Sequence, residues 1–344
     1  MLRGILFILF CFVAGTTFAG FDEGQVAYKN GDYAVALKEF RPLAELGNAA
    51  AQEKLGSLYA NGQGVAKDVA QAFQWFQKAA EQGDVDAQFN LGIVYAGGLG
   101  AAKDEAQAVH WFRKASEHGD TESQFNLGVM YANGQGVAKD DAQAVQWFQK
   151  AADQGHAPAQ INLGSMYENG HGVDKDEAQA LQWYRKAADQ GDAIAQKKLG
   201  SLYANGQGVA KDEAQAVQWY RKAADQGEAV AQGILGWMYA DGRGVAKDDA
   251  QAVQWYRKAA DQGDVEAQRL LGIMYQNGRG VVKDEAQAFQ WFQKAADQGH
   301  AVAQFNLGVM YANGQGVAKD EAQAVQWYRK AADQGEAGAQ NSLR

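Results

Sequence analysis

Tryptophan recurs along this chain with a step of 36 residues. Trp75, Trp111, Trp147, Trp183, Trp219, Trp255, Trp291 and Trp327 mark it, and Gly83, Gly119, Gly155, Gly191, Gly227, Gly263, Gly299 and Gly335 keep the same step. Residues 48–335 therefore divide into eight units without an insertion. A fixed period of this length means one supersecondary unit copied in series, because a unit so short buries its apolar faces only against its neighbours. Gly47 continues the series backwards, so 20–47 is expected to be a divergent capping unit, with Glu39 where tryptophan belongs. Residues 336–344 begin a further unit and stop, with Leu343 at the repeated leucine position.

Each unit reads as two helices, A and B. In the fifth, Ala195, Leu199, Leu202 and Tyr203 fall at i, i+4, i+7 and i+8, one apolar stripe of an amphipathic helix. Asn205-Gly206 ends helix A, since glycine accepts the left-handed conformation of a helix terminus. After the loop, Asp212 followed by Gln215 has the spacing of a capping box and opens helix B. Ala216, Val217, Tyr220, Ala223 and Ala224 share one face of that helix, with Trp219 beside them. A glycine also sits inside each helix A (Gly56, Gly92, Gly128, Gly164, Gly200, Gly236, Gly272, Gly308), where it costs about 1 kcal/mol relative to alanine. Its expected partner is the Ala-Ala pair of helix B, in a contact that a side chain would block. The fold class that follows is all-α, an α/α superhelical solenoid of about eight 36-residue helix-turn-helix repeats with a long concave face.

Met1 to Ala19 carries one basic residue, Arg3, an uncharged apolar run and small residues at Thr17 and Ala19, the layout of a signal peptide cleaved after Ala19. The run from Gly4 to Ala19 is 16 residues, short of the roughly 20 that span a bilayer, so no stable membrane insertion is expected after cleavage. Cys11, the one cysteine, lies inside it, so the mature chain has no disulfide. The expectation is an exported protein, periplasmic, secreted or at the cell surface. A net charge of -9 excludes an electrostatic nucleic-acid binder.

The string AQxxLGxxYxxGxGVxKDxxQAxxWxxKAAxQG, as it stands from Ala195 to Gly227, resembles the Sel1-like repeat family, an α/α relative of the tetratricopeptide repeats. The resemblance covers 48–335; the second unit departs with GGLGAAKD from Gly97 to Asp104, and the leading unit lacks the tryptophan and the Gly-x-Gly loop. It implies an adaptor that binds proteins or peptides through a concave surface, in bacterial members with export signals often in host-cell interaction or envelope signalling. A cysteine-rich branch of that family is associated with penicillin binding and β-lactamase activity, the rival reading. Its hallmark disulfide has no counterpart in the mature chain, and that activity is not transferred.

No residue set suggests catalysis, a cofactor or a metal. GQGVAKD lacks the spacing, strand and hydroxyl of a phosphate loop. Acid pairs such as Asp212-Glu213 sit at helix starts, where carboxylates cap amides and favour the dipole. His110, His118, His156, His171 and His300 have no zinc-pair spacing and are expected to be surface or capping residues. Binding is then sought where the units differ. Asn90, Asn126, Asn162 and Asn306 share one register on helix A and are expected to pair with the backbone of an extended peptide, as the related tetratricopeptide repeats do. Phe89, Phe125 and Phe305 share a second register, and Trp237, outside the 36-residue series, is the expected hot spot of a third. The alternative for these registers is packing against the next helix A. The oligomeric state is left open.

Overall fold

The computed structural model describes residues 20–343; the expected signal peptide, with Cys11, lies outside them. The described residues hold nineteen helices and no strand, and every helix from Tyr33–Glu45 to Glu321–Asp333 is 13 residues long. No helix among them is long and apolar enough to cross a membrane. The chain divides into two compact units, Met1–Lys175 and Asp176–Arg344. The first holds a leading hairpin (20–29 and Tyr33–Glu45), three whole repeats and helix A of the fourth, Ala157–Asn169. The second opens with helix B of the fourth repeat, Glu177–Asp189, and continues through four whole repeats to a short helix, Ala337–Ser342. Within each unit a helix B packs on the helix A before it and on the helix A after it, so one core runs through successive hairpins.

The caps explain the constant helix length. Asp212 Oδ1 accepts the Gln215 N–H at 2.9 Å, which forms the aspartate half of the capping box. The other half differs from the motif, because the Asp212 N–H donates to the Tyr203 carbonyl at 2.9 Å and so ties helix B to helix A. His156 and His300 cap as expected, each accepting a backbone N–H at Nδ1, from Ala159 at 3.2 Å and Ala303 at 3.3 Å.

The interior of each hairpin corrects one expectation. The helix A glycine faces an aromatic ring of helix B rather than the alanine pair: a Cβ on Gly128 would lie 2.5 Å from Phe148 Cδ1, and one on Gly200 3.0 Å from Tyr220 Cδ1. The ring lies flat where any side chain would intrude, which offsets the helical cost of glycine. The alanine pair serves the joint between repeats instead. Ala79 and Ala80 of the first repeat cluster with Ala87, Leu91 and Trp111 of the second, so small residues make room for the next tryptophan. A lysine three residues on lies over each of the eight periodic indoles, 3.7–4.5 Å from the ring centroid.

Two further devices hold the joints. The second glycine of the Gly-x-Gly loop rests on the first turn of the preceding helix B; Gly136 has φ +68°, and a Cβ there would lie 2.2 Å from the Glu105 carbonyl oxygen. The other is a buried glutamine in helix A. Gln232, 4% exposed, donates to the Ala224 carbonyl of the preceding helix B at 3.0 Å and accepts from Gln262, at the end of its own helix B, at 2.8 Å. Gln52, Gln196, Gln268 and Gln304 make the same two bonds. The second repeat breaks the pattern: His118 replaces the donor glutamine, and buried Gln88 Oε1 has no partner among the described residues.

Candidate functional site

Helix A carries its expected binding registers on the side away from its Ala-Leu-Leu stripe, at the seam between its own helix B and the next helix A. Phe89, Phe125 and Phe305 are half-buried there. Each meets the helix B ring of its own repeat, Phe112, Phe148 and Tyr328, at centroid separations of 6.0, 5.8 and 5.8 Å. Phe125 also meets the His156 ring at 4.7 Å. These phenylalanines are thus partly spent on packing, and Phe305 also packs against the C-terminal helix, Ala337–Ser342, which limits what they offer a ligand.

The asparagines are also half-buried. Asn90 Nδ2 donates to Glu53 Oε1 at 3.2 Å, and Asn126 Nδ2 donates to the Glu122 carbonyl at 2.8 Å. Each of these amides keeps an acceptor oxygen and a second N–H for an outside partner. Asn162 and Asn306 hold the same register. Asn90, Asn126 and Asn162 lie on successive helices A of the first unit, whereas Asn306 and Trp237 belong to the second.

Trp237 differs from the periodic tryptophans in being 41% exposed. Its indole and Val230, Gly233, Ile234, Ala267 and Leu270 line an open pocket of about 260 Å³ between helix A of the sixth repeat, Ala229–Asp241, and helix A of the seventh, Val265–Asn277. Asp264 and Glu266 supply its polar lining. The Arg243 guanidinium lies 4.7 Å from the Trp237 ring centroid. Arg243 is itself anchored by Glu213 of the preceding repeat. Hydrogen bonds from Arg243 and then Lys211 hold the Glu213 carboxyl at about 2, well below its ordinary value. Glu266 is occupied: Arg269 Nε reaches Oε2 at 2.9 Å and His300 Nε2 lies 3.1 Å from the same oxygen. The Arg269 hydrogen bonds push the Glu266 pKa down, against the effect of burial.

Among the described residues no three His, Cys, Asp or Glu side chains converge so as to hold a metal ion. The glutamine pair and the pocket are formed between residues far apart in the sequence. A polar residue at a constant place beside the apolar stripe, Gln52 and its copies, is the signal that points to the first. Gly233, where other repeats place Phe, Ile, Lys, Arg or Glu, is the signal for the second.

The Sel1 repeat model matches eight consecutive segments, 49–84, 85–120, 121–156, 157–192, 193–228, 229–264, 265–300 and 301–336. Among solved structures, a protective antigen present in uropathogenic Escherichia coli strains and displaying an SLR fold is 42% identical with a TM-score of 0.85. That similarity covers 89% of this chain and 66% of the antigen, so the chain spans just under two thirds of its length. A Sel1 repeat protein from Oxalobacter formigenes is 36% identical, with a TM-score of 0.73 and coverage of 89% of this chain and 88% of that one. None of the curated proteins matches.

Proposed function

The chain belongs to the Sel1 repeat family, whose members are typically protein interaction scaffolds, and we propose that it is an exported, non-enzymatic adaptor that holds a protein or extended peptide along the face lined by its helices A. Trp237 carries the reading: an indole left 41% exposed beside an apolar pocket, in an array whose periodic tryptophans serve the core, is what a binding surface requires. In this reading Asn90, Asn126, Asn162 and Asn306 pair with the ligand backbone, and Phe89, Phe125 and Phe305 contribute what their packing leaves exposed. Export rests on the leader over 1–19, and the likeness to an E. coli antigen supports a place at the envelope or outside it, in host-cell interaction or envelope signalling.

Cross-linking in the native cell, followed by mass spectrometry, tests the proposal. Asn126→Ala combined with Trp237→Ala should lower recovery of the cross-linked partner while leaving the helical content unchanged. Equal recovery of every partner by wild type and variant would remove the groove from the account. A mature N-terminus at Gly20 in the exported fraction checks the leader, and absence of nitrocefin turnover by the purified protein checks the non-enzymatic part.

A further inference from the structure

The pocket beside Trp237 exists because one side chain is missing. The register of Gly233 faces the N-cap of the next helix A: the Phe125 ring packs tilted against His156, and Lys197 Nζ bonds Glu228 Oε1 at 2.8 Å. Glu228 divides its oxygens, with Oε2 capping Ala231 N–H and Oε1 taking the lysine. One repeat later the cap is Asp264, whose Oδ1 accepts the Ala267 N–H at 2.7 Å. No lysine reaches it, because the facing residue is Gly233. A Cβ added there would meet only Asp264 Oδ1, at 3.9 Å. Asp264 Oδ2 forms no hydrogen bond among the described residues. The gap thus keeps the acid of the preceding joint and lacks its base.

We propose that this gap is a subsite for one lysine or arginine side chain of a partner peptide, which takes at Asp264 the place that Lys197 takes at Glu228. The inference rests on the reading of the helix A face as a peptide-binding surface and adds the class of residue that this part of it selects. Val230, Ile234, Leu270 and the Trp237 indole cover the methylene stem, and Asp264 Oδ2 accepts the hydrogen bond of the cation. Glu266 plays no part, being held by Arg269 and His300. A volume of about 260 Å³ lies below the roughly 300 Å³ at which small-molecule sites begin and suits a single side chain. The net charge of -9 favours a basic partner over an acidic one.

The test uses the blocked pentapeptide acetyl-Gly-Gly-Lys-Gly-Gly-amide, its arginine counterpart and a norleucine counterpart that keeps the stem without the charge. Binding is read from the indole ¹⁵N–H resonance of Trp237, assigned through Trp237→Phe. The basic peptides should move that resonance saturably, about five- to tenfold more tightly than the norleucine peptide, with the preference reduced by salt. Asp264→Asn keeps the helix cap and should abolish the preference, and Gly233→Lys should fill the site from within and abolish binding. Equal binding of the norleucine peptide, or no saturable shift with any peptide, overturns the proposal. Either failure leaves the wider groove standing if Asn126→Ala still lowers recovery of the cross-linked partner; a groove without a partner would instead show equal recovery from every variant.

Discussion

Replacing His118 with glutamine should stabilise the second repeat. Elsewhere the glutamine at this register donates to the buried glutamine of its own helix A, at 2.7 Å for Gln82 to Gln52 and 2.7 Å for Gln154 to Gln124. In the second repeat Gln88 still donates to the Ala80 carbonyl, at 3.3 Å, but its Oε1 is buried without a partner. An unsatisfied buried acceptor costs about 1–3 kcal/mol, and the new side chain loses some rotamer freedom, so the expected gain is about 1–2 kcal/mol. That corresponds to opening rarer by a factor of roughly 5–30. Native-state amide exchange over Val85–Gly97 and Glu105–Glu117 reads the quantity locally, without requiring a repeat array to unfold in one step. The control is the same substitution in a Gln88→Leu background, where the gain should vanish because the acceptor is gone. Equal slowing in both backgrounds would show that the glutamine pair is not its origin.

Three further outcomes follow from the joints. Ser123 stands where other repeats have alanine, and its fully buried Oγ finds no partner among the described residues, so Ser123→Ala should raise stability by about 1 kcal/mol in urea unfolding. Gly136→Ala should cost about 3 kcal/mol or more, combining a left-handed backbone with collision against the Glu105 carbonyl; Gly155→Ala, at φ +89° with nothing within 4 Å, should cost only about 1 kcal/mol. Similar losses in the two would argue against the close backbone joint. Glu213 should titrate near 2 in a carboxyl NMR experiment, because Arg243 and then Lys211 lower its folded pKa. Its stabilising contribution is therefore complete above the ordinary value of 4.5 and is lost as pH falls through about 2. Glu213→Gln should weaken the protein at neutral pH and match wild type near pH 2, and titration of Glu213 near 4.5 would refute the assignment.

Hairpins, helix ends and loops were legible because each rests on local chemistry: glycine at left-handed positions, aspartate at helix starts, and a helical stripe of Ala, Leu and Tyr. What helix A and helix B bring together was less so. Period and pattern place Gly128 and Ala151 on inward faces, but only the crossing of the two helices puts the Phe148 ring over Gly128. In the sequence Gln232 is an ordinary polar neighbour of the stripe, since its acceptor and donor, Ala224 and Gln262, are 8 residues before it and 30 after. Trp237 is visible in the sequence because it breaks the period. The gap beside it needed Asp264 to lie opposite Gly233, an adjacency across 31 residues that shows only once consecutive helices A are placed side by side.

The Gly-x-Gly loop joins repeats through atoms that every residue owns, since its glycine seats against a main-chain carbonyl rather than against a chosen side chain. Excising or inserting 36 residues between two matching points therefore rebuilds an equivalent seam from whichever neighbours are brought together. The 17-residue stretches at 124–140 and 304–320 are identical, so recombination between such copies would yield proteins longer or shorter by whole turns of the pattern, each with its seams already complementary.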